Sequence, residues 1–164
     1  MNINGMEIER KFMIAMPEKE FLDSLDSTEI SQTYLLGEKS ATERVRKRGR
    51  GDTFTYTHTI KYKISNISRR EDEREISLEE YETLLNRADP ERRTIEKIRY
   101  CYDYAGAMWE IDVFPFWKDK AVMEIELGAE DERVIFPDNI SVIRELTDDK
   151  RYTNAAMAKS IPEE

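Results

Sequence analysis

The sequence predicts an α+β fold that is mainly β, built from antiparallel strands with a few short helices around them. Three observations carry that expectation: eight stretches in which charged and apolar residues alternate, turn-forming residues between them, and helical periodicity confined to brief segments. Successive side chains on a strand point to opposite faces, so such alternation marks a strand whose two faces meet different surroundings. The stretches cover roughly 5–14, 30–36, 40–49, 52–64, 68–76, 92–104, 107–116 and 119–127.

In the first stretch Glu7, Glu9 and Lys11 share one face, and Ile8 and Phe12 share the other. A short helix is expected near Pro17, since proline suits a first turn, where its missing N–H costs no hydrogen bond. Gly49 to Asp52 and Tyr104 to Ala107 read as hairpin connections, the second with Gly106 supplying a permissive backbone. Ser77-Leu78-Glu79-Glu80 is a capping box, and it opens a helix that carries Tyr81, Leu84 and Leu85 at helical spacing. From Tyr152 to Ser160 the run Ala155-Ala156-Met157-Ala158-Lys159 favours a C-terminal helix, with Pro162 as its breaker. No linker, low-complexity tract or internal repeat divides the chain, so residues 1–164 are expected to form one domain.

The charged faces recur. Arg44, Arg46 and Arg48 share a parity, as do Lys61 and Lys63; Arg69, Glu71, Glu73 and Glu75; Lys97 and Arg99; Glu110 and Asp112; and Glu124 and Glu126. A sheet with one face in water also alternates in this way. Such a face usually mixes Lys with Glu, however, because like charges opposite one another cost stability. Here most segments carry a single sign, which suits faces whose repulsion a ligand or ion relieves.

The opening Glu7-x-Glu9-x-Lys11, within EIERKF, resembles the signature of the CYTH superfamily, the triphosphate tunnel metalloenzymes. The resemblance continues in order through TERVRKR at 42–48, TIK at 59–61, SRREDE at 68–73, EKIRY at 96–100, EIDVF at 110–114, MEIEL at 123–127 and DKRYTN at 149–154. It implies an eight-stranded antiparallel β-barrel forming a tunnel, whose inward face binds a triphosphate and divalent metal ions. Within the superfamily the chain looks most like the small bacterial proteins that hydrolyse inorganic tripolyphosphate.

A triphosphate needs fixed cations along its length, and arginine presents a planar fork that matches phosphate oxygens. The substrate-binding candidates are Lys11, Arg44, Arg46, Arg48, Lys61, Lys63, Lys97 and Arg99, with Arg151 beside Lys150 and Tyr152 expected at an entrance. Carboxylates facing the same ligand would repel it unless a metal lies between, and Mg²⁺ or Mn²⁺ suits oxygen ligands. The implied metal ligands are Glu7, Glu9, Glu73, Asp112, Glu124 and Glu126, while Glu71 and Glu110 fit groups that orient water or ligands. Glu7, Glu9, Lys11, Lys97, Glu124 and Glu126 form the implied catalytic set. Two ions would suffice, one bridging phosphate oxygens and one activating an in-line water, with no covalent intermediate.

Other residues attract ordinary structural readings. His58 has the wrong parity for the charged face and is expected to be an exposed side chain. Cys101 lacks the neighbour that would activate a thiol, and a single cysteine can form no internal disulfide. Trp109, Ile111, Val113, Met123, Ile125 and Leu127 alternate with the carboxylates and should form an outer apolar layer beneath the helices.

The formal net charge of −9 argues against a general nucleic-acid binder. Acidity overall does not forbid a polyanion inside, because the inferred inward set balances eight acids (Glu7, Glu9, Glu71, Glu73, Glu110, Asp112, Glu124 and Glu126) against eight bases (Lys11, Arg44, Arg46, Arg48, Lys61, Lys63, Lys97 and Arg99). No run approaches the ~20 apolar residues of a membrane span, and no apolar signal-peptide core opens the chain, so a cytoplasmic enzyme without a membrane partner is expected. A homodimer is left open. The leading reading is metal-dependent hydrolysis of tripolyphosphate. The alternatives implied by the same resemblance are a class four adenylyl cyclase, a thiamine triphosphatase, and a non-catalytic polyphosphate or nucleotide sensor.

Overall fold

The computed structural model describes residues 6–37, 40–65 and 67–163. Its strands are β1 (Met6–Ala15), β2 (Asp26–Tyr34), β3 (Ala41–Arg50), β4 (Thr53–Lys63), β5 (Ser68–Ile76), β6 (Ile95–Tyr104), β7 (Ala107–Val113), β8 (Lys120–Glu126) and β9 (Val142–Glu145). The strands run in the spatial order β5-β4-β3-β2-β6-β7-β8-β1, all antiparallel. Pairing of Met6 with Arg70, Glu7 with Arg69 and Ile8 with Ser68 joins β1 back to β5 and closes an eight-stranded barrel. Closure removes the two open edges that a flat sheet would present.

Three strand boundaries and one strand differ most from the sequence reading. β7 ends at Val113 and not at 116, because the chain turns at Pro115, which has no N–H to donate to a ladder. β2 begins at Asp26 and not at 30, because Asp26-Ser27-Thr28-Glu29 is polar on both faces and shows no alternation. β6 begins at Ile95 and not at 92, since the polar Arg92-Arg93-Thr94 lies outside the ladder. β9 was not anticipated. It has four residues, too few for a periodic signal, and it pairs with β1 beyond the β5 contact, Phe12 facing Glu145 and Met13 facing Arg144.

The helices are short and serve as covers. Helix α1 (Lys19–Asp23) starts two residues after Pro17, with Glu18 at its N-cap, so the proline precedes the helix instead of lying in its first turn. Helix α2 (Leu78–Leu84) opens as the capping box requires on one side: Ser77 Oγ accepts from the Glu80 backbone N–H at 3.0 Å, while the Glu80 carboxylate turns to Arg74. Leu85 falls in the 3₁₀ turn that follows, and Tyr81, Leu84 and Leu85 pack on Val45 and Ile76 outside the barrel. Helix α3 (Asn154–Lys159) is capped by Thr153 Oγ1, which accepts from the Ala156 N–H at 3.0 Å.

The barrel wall has apolar layers on both sides, for different purposes. Outside, Trp109, Ile111, Met123, Ile125 and Leu127 are buried with Phe12 and Ile14, and Val113 packs beside them. Their cover is only partly helical: α1 supplies Phe21 and Leu22, and the mostly irregular segment 128–141 supplies Val134, Ile140 and Phe136, whose ring lies 4.9 Å from Phe12 and 5.7 Å from Trp109. Inside, Met13, Ile95, Phe114 and Val122 share parity with the charged positions but cluster with Leu146, Tyr152, Met157 and Ala158. The C-terminal segment therefore seats apolar side chains in one end of the barrel, and the charged part of the inner face stands above an apolar floor.

Candidate functional site

Strand register places the charged residues together. Lys11 lies opposite Glu124, Glu9 opposite Glu126, Glu110 opposite Glu124, Arg99 opposite Asp112, Lys61 opposite Glu71, and Glu7 opposite Arg69. Paired residues share a face, so one inner surface collects all of them. All of these but Asp112 line a cavity of about 710 Å³ that reaches from Lys63, Arg69 and Glu126 to Tyr34, Leu146 and the start of α3.

The two signs occupy different walls. Arg44, Arg46 and Arg48 follow one another along β3, whereas Glu9, Glu124 and Glu126 stand on the adjacent strands β1 and β8. Between these walls most buried cations have an anionic partner. Arg99 donates to Asp112 from Nε at 2.8 Å and Nη2 at 2.9 Å, and Lys97 Nζ donates to the same carboxylate at 2.8 Å. Lys11 Nζ sits 3.6 Å from Glu124 and donates to the Tyr152 carbonyl at 3.2 Å. Lys61 Nζ donates to Glu7 at 3.0 Å and lies 3.8 Å from Glu71.

Burial and charge set the electrostatics. Burial pushes Lys97 down, as do Arg99 and Arg46 nearby, while Asp112 pulls the other way. Burial also works against ionised Asp112, but Arg99 and Lys97 outweigh it and hold the carboxyl well below the usual carboxylate range. Glu7 is pushed up, first by burial and then by its contact with Glu71. Among the described residues two polar atoms of the lining are buried without any hydrogen-bond partner, Arg44 Nε and Glu71 Oε2. An orphaned buried polar group is costly to keep, and a ligand that satisfies it offsets that cost.

Comparison with known proteins bears on which ligand. The chain is 34% identical over 159 residues to an inorganic triphosphatase of Nitrosomonas europaea, covering 95% of this chain and 99% of that protein. It is 30% identical over 156 residues to an inorganic triphosphatase of Acetivibrio thermocellus, covering 95% of each. The chain belongs to the inorganic triphosphatase family of the CYTH superfamily. The solved structure of an inorganic triphosphatase matches with 32% identity and a TM-score of 0.60 over 96% of this chain and 97% of that one. No family model matches the sequence.

Within this triphosphatase barrel most residues singled out from sequence line the cavity: Glu7, Glu9, Lys11, Arg44, Arg46, Arg48, Lys61, Lys63, Glu71, Glu73, Lys97, Arg99, Glu110, Glu124 and Glu126. Asp112 does not. It is 1% exposed and both its oxygens are engaged by Lys97 and Arg99, so it holds cations in place instead of facing the cavity as a metal ligand. Arg151 also stays outside the lining, folded onto Asp149 with Nε at 2.9 Å and Nη2 at 2.7 Å, and its neighbour Lys150 reaches the cavity. Glu73 accepts from Thr59 Oγ1 at 2.9 Å.

The six expected metal ligands are not gathered into one cluster: among the described residues no three acidic, His or Cys side chains stand close enough to hold an ion. The lysines explain this, since Lys11 and Lys61 occupy the space beside Glu124 and Glu7. His58 faces outward as its parity requires, yet it is not an exposed side chain. Its ring, 13% exposed, meets Glu43 at 2.5 Å, and Glu43 in turn accepts from Arg87 at 2.7 Å. Cys101 shares the inward parity opposite Glu110, and burial, reinforced by Glu110, pushes its thiol up, away from reactivity.

Sequence reasoning missed Gln32, Tyr34 and Asn154. Asn154 Oδ1 accepts from Lys97 Nζ at 3.3 Å, and Tyr34 lines the cavity above the apolar floor. Gln32 and Tyr34 share a face of β2 on which Asp26, six residues before Gln32, is the sole charged residue, so the repeated charge pattern that revealed the other strands is absent there.

Proposed function

We propose that this protein hydrolyses inorganic tripolyphosphate to pyrophosphate and phosphate with a divalent metal, Mg²⁺ or Mn²⁺. The observation that carries the reading is the state of the β3 arginines. Arg44 and Arg46 are each only 7% exposed, and neither has a carboxylate at ion-pair distance among the described residues. Buried unpaired guanidiniums are costly in an empty protein and are suited to a multiply charged anion.

Glu9, Glu124 and Glu126 would hold the metal, with Glu7 and Glu73 on neighbouring strands. Their fit rests on donor chemistry and register: Glu9 stands opposite Glu126 and Glu110 opposite Glu124, and like charges set opposite each other favour a cation between them. When bound, the metal would neutralise charge developing on the phosphate oxygens and make a bound water a better nucleophile. The protein's own residues do the rest. Arg44, Arg46 and Arg99 align the phosphates, Lys97 and Lys11 add charge where the chain is most buried, and the floor around Tyr34 and Leu146 keeps bulk water from one end.

Among the described lining residues Tyr34 is the only aromatic one, and Gln32 already engages its hydroxyl. A lining so poor in aromatic surface supports an all-phosphate ligand over a nucleotide or thiamine triphosphate. The decisive experiment measures phosphate release from tripolyphosphate, ATP, thiamine triphosphate and pyrophosphate with Mg²⁺ or Mn²⁺, with cyclic AMP assayed alongside. Turnover of tripolyphosphate that EDTA abolishes and added metal restores is the expected result. Full activity after metal stripping, or cyclic AMP as the main product, would refute it.

A further inference from the structure

Gln32 is 0% exposed on β2 and faces Arg46 across the β2–β3 ladder. Its Oε1 accepts two bonds from that guanidinium, from Nε at 3.0 Å and from Nη2 at 2.7 Å. Its Nε2 donates to the Tyr34 hydroxyl at 2.9 Å. The amide orientation is thereby fixed at both ends, since only the oxygen can accept from arginine. A guanidinium has five N–H donors. Two are spent on Gln32, and among the described residues no other hydrogen-bond partner takes up the remainder, which leaves them to meet a ligand.

The partner's chemistry sets Arg46 apart. Lys97 and Arg99 share the Asp112 carboxylate, Lys11 faces Glu124 and Lys61 faces Glu7. Arg46 is held in a comparable two-point grip by a neutral amide. Burial, together with Arg44, Arg99 and Arg48 nearby, presses its pKa down to about 9, so it remains cationic at neutral pH while repelled from several sides. A glutamate in place of Gln32 would present an acceptor of the same shape and would relieve that repulsion, which makes it the better residue for the empty barrel. The amide is the better residue only if the charge of Arg46 is to be spent on something that arrives later.

We propose that Gln32 is a positioning residue that aims Arg46 into the cavity without neutralising it, so that the uncharged amide at this position sets the affinity for a polyanionic substrate. The proposal rests on the reading of the cavity as a tripolyphosphate site.

The test compares wild type, Q32E and Q32M in the full chain, by steady-state kinetics on tripolyphosphate with Mg²⁺ and by thermal melts in metal-free, phosphate-free buffer. Q32E is expected to melt at or above wild type and to raise KM about tenfold or more with a smaller change in kcat, the pattern of lost uniform binding. Q32M keeps the cation and frees its fork, so kcat is expected to fall about tenfold or more through misalignment of the phosphates. Wild-type KM in Q32E would overturn the proposal, and so would a Q32E melt well below wild type, since a purely structural amide predicts one or the other. If wild type itself fails to turn over tripolyphosphate, the functional reading falls, and the ligand-free melts still judge Gln32 by the same criterion.

Discussion

Lys97 Nζ lies 2.8 Å from Asp112 Oδ2 with both side chains 1% exposed, and Arg99, two residues further along the same face of β6, grips the same carboxylate. One carboxylate thus holds two cations of the site at a depth where neither could stand alone. Asp112→Asn keeps the shape and removes the charge, leaving both cations uncompensated. On the scale of a broken buried pair it is expected to cost about 3–5 kcal/mol, read from denaturant melts. A variant as stable as wild type would return Asp112 to the list of metal ligands.

The same pair fixes a pH dependence. The Asp112 carboxyl is held below its ordinary range in the folded protein, so the unfolded chain binds its proton first as pH falls. Its stabilisation is present above the unfolded carboxylate pKa of about 3.9 and is lost progressively below it. Melting temperature should therefore drop as pH falls through that range, with a shallower slope in Asp112→Asn. Equal slopes in the two proteins would assign acid lability to other carboxylates.

Arg44 Nε is buried with no hydrogen-bond partner among the described residues and precedes Arg46 on the same strand face. Arg44→Ala removes a repulsive, unsatisfied cation, so the metal-free protein should melt no lower than wild type. Tripolyphosphate turnover should fall about 10²–10³-fold, as for one lost preorganised electrostatic contact. Wild-type turnover would show that this wall does not touch substrate.

Glu126 stands opposite Glu9 at the rim and is exposed. Glu126→Gln is expected to shift stability by no more than about 0.5 kcal/mol, as ordinary surface changes do. Activity should nevertheless be lost and should not recover at raised metal concentration. Normal turnover in this variant would place the metal elsewhere.

His58 lies outside the barrel, bound to Glu43, which also holds Arg87. His58→Ala should lower stability by about 1 kcal/mol through the lost hydrogen bond, with turnover within twofold of wild type. A kinetic loss as deep as that of Arg44→Ala would mean that the faces of β4 have been assigned the wrong way round.

Local alternation determined most of this protein. The parity of Glu7, Glu9 and Lys11, of Arg44, Arg46 and Arg48, and of Glu124 and Glu126 is enough to place them on one face, because a strand's side-chain period of two leaves no other arrangement. The order of motifs, matched to the CYTH superfamily, gave that face its closed shape and its ligand class. Tertiary structure decided what alternation cannot express, namely which charges already have partners. Asp112 and Glu126 look alike in sequence, but register sinks one between Lys97 and Arg99 and leaves the other exposed at the rim. Gln32 is neutral and so invisible to a charge pattern, yet the β2–β3 ladder sets it against Arg46. The apolar floor arises in the same way: Met13 and Val122 break the charged pattern of their faces, and only the folding-back of Leu146, Tyr152 and Met157 turns that break into one closed end of the barrel. Partnership across a long sequence separation depends on distance in space, and a pattern of neighbours along the chain carries no measure of that distance.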